Sequence, residues 1–247
     1  MLRSLGPGIW DSRCHLRTVG PLRVPRRMTV IRLEDGGLLL HSPNPLSGEL
    51  QRGLEELGRV RFLIAPSLMH AGFLEDYLAA FPEAQLYTAP GMGALRPELR
   101  IEAELGDDES GGGVSAENSP WRGVLDHLVT AGVPRLNEVA FLHRPTRTLL
   151  LTDYAHNVGP DNPLLTRVLF RAIRGYGRFG PTNYFRSLVR DPAAVWRSVQ
   201  RIARWDFERV LVCHGRESAT TPAQLLEAFA AYRSQGVSGG ASAGHGG

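Results

Sequence analysis

"TLLLTDYAH", residues 148–156, decides the reading of this chain. An apolar run ends abruptly in Asp153, and His156 follows three positions later. A second run, "VLVCHG" (210–215), ends in the same way in His214 and Gly215. Short runs of this kind, bounded by polar residues, read as strands buried on both faces. Asp153 and His214 then stand at the carboxyl ends of two strands, the rim where layered α/β proteins bind ligands. An acid at that rim is costly to bury without a partner. Two strand ends carrying an acid and an imidazole therefore point to one shared polar site.

The surrounding sequence supports a layered α/β protein. "MTVIRL" (28–33) and "GLLLH" (37–41) read as strands around the turn Glu34-Asp35-Gly36. Residues 47–57 place Leu50, Leu54 and Leu57 on one helical face, and residues 73–81 place Phe73, Leu74, Tyr77, Leu78 and Phe81 on another. Strands are expected at 60–64, 85–88, 124–129, 138–143, 148–153 and 209–213. Asn162-Pro163, Asp191-Pro192 and Thr221-Pro222 read as helix starts, a capping residue followed by Pro. The helix after Asn162 is expected to turn Leu164, Leu165, Val168 and Leu169 inward. Such alternation of strands and helices is the pattern of a layered fold. Residues 1–26 read as an N-terminal extension to a single domain at 27–235. Within it, 102–119 is expected as a flexible acidic loop, and 236–247 as a disordered tail.

Composition removes several mechanisms. Every basic residue is Arg, so Schiff-base chemistry, Ser-Lys dyads and a P-loop Lys are excluded. Two cysteines, Cys14 and Cys213, are too few for a disulfide framework or a Cys-rich zinc site. Cys213 lies in an apolar run and reads as a small core residue. The chain has no HExxH motif. A hydrolytic mechanism is expected to rest on a metal-activated water. No apolar stretch is long enough to span a membrane, and the first residues lack the apolar core of a signal peptide, so a cytoplasmic location is expected.

His70 joins Asp153 and His214 as a candidate, because it lies between a strand end and an amphipathic helix. His41 ends the strand "GLLLH" and could face the same rim. His127 reads as a surface or satisfied sheet residue. His143 precedes the turn into 148–153, which puts it at the other end of the sheet.

At these residues the chain resembles the metallo-β-lactamase fold superfamily, and within it an uncharacterised branch known only as a domain of unknown function. The resemblance is carried by "RMTVIRLEDGGLLLHSPNPL" (27–46), "FLIAPSLMHAGFLEDYLAAFPEAQLYTAPGM" (62–92), "NEVAFLHRPTRTLLLTDYAHN" (137–157) and "WDFERVLVCHG" (205–215). It implies a four-layer αββα sandwich with a metal site along the edge between the sheets. It also implies that Asp153 matches the metal-bridging acid and His214 the last metal-binding His. The stretch "APSLMHAG" takes the place of the HxHxDH signature, with Ser67, Met69 and Ala71 standing where ligands would be. The metal candidates are thus His70, Asp153 and His214, with His156 and His41 behind them. These donors suit one Zn or Fe(II) ion.

Three functions are compatible with the residues. One is a metal-dependent hydrolase of a small molecule. Another is a metal-free member of the fold that binds a ligand or protein. The third is an anionic partner held by the segment Arg167 to Arg204, where nine Arg meet a single acid, Asp191, among Tyr176, Phe179, Tyr184 and Phe185.

Overall fold

In the computed structural model, residues 1–107 and 112–233 are described. A seven-stranded sheet comes first in the chain. Its strands are β1 (Leu2–Gly6), β2 (Ile9–Arg17), β3 (Arg23–Arg32), β4 (Leu38–His41), β5 (Val60–Ala65), β6 (Gln85–Thr88) and β7 (Ile101–Glu104), in that spatial order. Neighbours run antiparallel from β1 to β4 and parallel from β4 to β7. The helices α1 (Gly48–Leu57), α2 (Leu74–Ala80) and α3 (Met92–Leu95) make the crossovers.

The second sheet has five strands: β8 (Leu125–Val129), β9 (Val139–His143), β10 (Thr148–Leu151), β11 (Arg209–Val212) and β12 (Ser218–Ala219). β10 and β11 are parallel, in register from Thr148 opposite Arg209 to Leu151 opposite Val212. This pairing brings the ends of the two opening stretches side by side. α4 (Leu164–Ala172), α5 (Asn183–Leu188) and α6 (Pro192–Ile202) connect β10 to β11, and α7 (Pro222–Ala228) follows β12.

Three apolar layers hold the sandwich together. Ile31, Leu39, Phe62 and Ile64 of the first sheet meet Phe141, Leu150 and Leu211 of the second between the sheets. Val30, Leu40 and Leu63 face the other way, onto Leu54 of α1 and Tyr77 of α2. Leu149, Leu151, Val210 and Val212 face Val195 and Val199 of α6 and Leu225 of α7. This is why "TLLL" and "RVLV" show no polar alternation. Each strand is covered on both sides, and each buried Leu or Val contributes roughly 1.5–3 kcal/mol. The architecture is the expected four-layer αββα sandwich.

Several expectations differ from what is found. Residues 1–26 do not precede the domain as a separate piece, because β1, β2 and the start of β3 are strands of the first sheet. Residues 102–104 belong to β7, Leu105 bridges to Val114, and residues 108–111 lie outside the described part of the expected loop. The expected tail at 236–247 lies outside it as well. Asn162 does not cap α4; its side chain instead bonds the Gly159 carbonyl and contacts His15. α4 is also turned the other way: Leu164, Leu165 and Val168 are 66, 46 and 53% exposed, while Thr166 and Phe170 are buried. Periodicity shows that a helix has an apolar face, but not that the fold covers it. Asp191 and Thr221 cap as expected, Thr221 through a reciprocal box with Gln224. Among the described residues no helix is long and apolar enough to cross a membrane.

His143 sits opposite Thr148 at the far end of β9 and β10, with Nδ1 2.7 Å from Thr146 Oγ1. Burial, aided by Arg209, lowers its pKa to about 4. The folded chain therefore binds fewer protons than the unfolded chain between about pH 4 and 6.5, and stability falls as pH drops through that window. Replacing His143→Gln should remove up to about 3 kcal/mol of this acid sensitivity. Denaturant midpoints at pH 7 and pH 4.5 measure it; an equal drop in both proteins would contradict the assignment.

Candidate metal centre

The acid comes from the backbone turn that ends β10. After Leu151 the chain leaves the sheet, and three consecutive amides, of Thr152, Asp153 and Tyr154, all donate to the carboxylate of Glu138 at 2.7, 2.7 and 2.8 Å. Glu138 is fully buried directly before β9, and Thr130 donates to its backbone carbonyl through both N and Oγ1. Burial and the nearby Asp153 raise the Glu138 pKa to about 7, while the amide donors favour its charged form. Glu138 thus fixes the direction in which the Asp153 side chain leaves the backbone.

His70 arrives from the first sheet. The loop after β5 is tied across the sandwich edge, with Leu68 N donating to Leu136 O and Val139 N to Pro66 O. His70 Nε2 lies 3.2 Å from Asp153 Oδ2, and its Nδ1 lies 2.7 Å from Ser42 Oγ. Ser42 adopts a left-handed backbone at φ 57°, which is unfavourable for a non-glycine residue, and it is fully buried.

His214 arrives from β11. Its Nε2 lies 3.1 Å from Asp153 Oδ1, and its Nδ1 is 2.7 Å from the Pro25 carbonyl. That carbonyl accepts only from a protonated Nδ1, so Nε2 is the nitrogen turned to the acid. The next residue, Gly215, has φ 138°, and a Cβ there would lie 2.2 Å from the Asn157 carbonyl oxygen. Arg27 braces the same turn, donating to Val212 O at 3.1 Å and Gly215 O at 2.9 Å, and it pairs with buried Asp11 at 2.6 Å.

The expected residues therefore converge. Asp153 stands between the imidazoles of His70 and His214, whose ring centroids are 5.4 Å apart. Burial opposes charge on all three. Against it, His70 and His214 hold the Asp153 carboxyl well below the usual range. Asp153, by charge and hydrogen bond, pushes both His70 and His214 up. His156 stacks parallel to His214 at 5.4 Å and 13°. Burial and His214 lower its pKa to about 3, keeping it neutral. His41 is buried with Nε2 unpartnered and packs on Phe141; its neighbour Ser42 is what touches His70.

Two groups near the site carried no signal in the reading above. Cys213 is buried as expected of a core residue, yet its Sγ is 3.7 Å from His70 Nδ1. The imidazoles draw its pKa down, but Sγ donates at 3.1 Å to the Arg27 carbonyl, a contact that requires the thiol. Glu138 was missed because it acts through backbone amides. Ser67 and Met69, at the altered motif positions, are a buried hydroxyl without a partner and an exposed side chain.

The Arg-rich segment is less open than its composition suggests. Phe185 is core, Arg171 stacks over Tyr176 at 3.8 Å, and Arg201 pairs with Asp107 at 3.1 Å. Arg178 donates to the carbonyls of Arg174 and Pro181.

The DUF4336 domain of unknown function matches residues 12–178. The chain belongs to that family. No curated protein matches its sequence. The DUF4336 chain resembles solved metallo-β-lactamase structures in fold. The enzyme from Erythrobacter litoralis superposes at TM-score 0.65 with 13% identity, covering 93% of this chain and 96% of that one. FIM-1 from Pseudomonas aeruginosa, in its mono-zinc form, gives 0.64 with 11% identity and 96% of each chain. The enzyme from Pontibacter korlensis gives 0.59 with 12% identity, over 95% of this chain and 99% of that one. The DUF4336 chain thus has the metallo-β-lactamase fold.

Replacing Glu138→Ala would leave three buried amides without an acceptor and should cost about 3–5 kcal/mol. Glu138→Gln keeps one acceptor oxygen and should cost clearly less. Urea denaturation measures both; equal stability of wild type and Glu138→Ala would remove the role given to Glu138.

Proposed function

We propose that this protein is a metal-dependent hydrolase of a small molecule, with His70, Asp153 and His214 in the metal site. The observation that carries the reading is the Asp153 carboxylate set between two imidazole Nε2 atoms at 3.2 and 3.1 Å, at the ends of strands from both sheets. The donors fit a cation on three counts. Ligands bonded at about 2.0–2.1 Å stand roughly 3–3.4 Å from one another, which is the separation of an Asp153 oxygen from each imidazole Nε2. His214 already holds its other nitrogen on a carbonyl, the usual arrangement behind a metal-binding imidazole. Asp153 Oδ2 is buried, and the His70 Nε2 beside it at 3.2 Å is not aligned to donate to it. Two imidazoles and a carboxylate suit Zn or Fe(II).

A cation there would acidify a bound water and polarise a substrate carbonyl or ester oxygen. The protein's own residues do the rest. Glu138 holds the Asp153 turn, Pro25 and Ser42 orient His214 and His70, and the buried walls exclude bulk water.

The metal-free scaffold is the competing reading. It is favoured by Ser67, Met69 and Ala71 at the motif positions, and by the direct contacts of Asp153 with both imidazoles.

Elemental analysis of untagged protein, before and after incubation with Zn²⁺, Fe²⁺ or Mn²⁺, separates the two. About one ion per chain is expected, lost in Asp153→Ala and His214→Ala. Turnover of ester or thioester substrates should fall with it by at least about 100-fold. Protein that takes up none of the three ions would exclude the hydrolase and favour the scaffold.

A further inference from the structure

We propose that His156 is a direct ligand of the same cation, taking over for histidines missing from the motif after β5. The proposal rests on the metal-site reading above, and the position has no ligand role in the resemblance to the superfamily. Asp153 and His156 are two intervening residues apart, so one turn can present both. Ligand atoms of Asp153, His156 and His214 all lie within 4.8 Å of one another.

The ring is placed rather than loose. His156 N donates to Gly180 O at 2.9 Å, Gly180 N returns a bond to His156 O at 3.2 Å, and Phe170 packs at 5.8 Å. Only 6% of the residue is exposed, and Nδ1 is sealed from solvent with no partner. A buried nitrogen without a partner is costly unless something binds it.

The competing cluster, His70, Cys213 and His214, has its atoms engaged. Cys213 Sγ is on the Arg27 carbonyl, and His70 Nδ1 is on Ser42.

Zn²⁺ affinity, measured by competition with a chromophoric chelator, and Co²⁺ absorption test the proposal on wild type, His156→Gln and His156→Cys. Thermal melts of the apo proteins check that each variant folds. His156→Gln should bind Zn²⁺ at least about tenfold more weakly and shift the visible Co²⁺ bands. His156→Cys should add a thiolate-to-Co²⁺ charge-transfer band in the near ultraviolet, which a merely structural residue would not give. If both variants bind like wild type, with no new band, while Asp153→Ala and His214→Ala lose the ion, His156 is not a ligand and the metal-site reading stands. If wild type itself binds neither Zn²⁺ nor Co²⁺, both readings fall together.

Discussion

A single buried carboxylate organises this molecule at its edge. Glu138 accepts from three successive amides, of Thr152, Asp153 and Tyr154, where β10 leaves the sheet. Those amides point away from the ladder and would otherwise be buried without acceptors, a cost of about 1–3 kcal/mol each. Because Glu138 directly precedes β9, the turn after β10 is locked to the strand beside it. The Asp153 side chain can then leave in only one direction. Everything proposed for the site depends on that direction.

The other donors reach Asp153 from separate parts of the chain, so the site requires the whole sandwich. His70 is carried by the loop after β5 in the first sheet, and His214 by the end of β11 in the second. The turn at His214 is braced by Arg27 on β3, and Arg27 is neutralised by Asp11 on β2. Breaking such a buried pair by removing one partner typically costs about 3–5 kcal/mol. β2 and β3 therefore stabilise the site although neither supplies a candidate ligand.

The architecture was largely readable from residue order because β10 and β11 are apolar on both faces and run into polar residues. The meeting of Asp153 and His214 followed from that, since neighbouring parallel strands end on one rim, and His70 reaches it from the other sheet. Other features were hidden for specific reasons. β2 reads "IWDSRCHLR", with Asp11 and Ser12 buried beside Arg27, so its polar residues masked a strand. Glu138 looked like the polar residue before a strand, since its partners are amides that have no signature in the sequence. Ser42 and Cys213 sit where an unusual backbone angle and a strand end bring them together, a distance of 3.6 Å that spacing along the chain cannot show. α4 has a clear apolar stripe, but which side meets the sandwich is set by Thr166 and Phe170, not by Leu164 and Val168.

The central claim is that Asp153 and the imidazoles around it hold a cation rather than one another. The most direct measurement is anomalous X-ray scattering at the zinc edge from crystals grown with one equivalent of Zn²⁺. One peak is expected within about 2.0–2.2 Å of an Asp153 oxygen and of imidazole nitrogens including that of His214. No peak at that place, with Asp153 still in direct contact with His70 and His214, would contradict it.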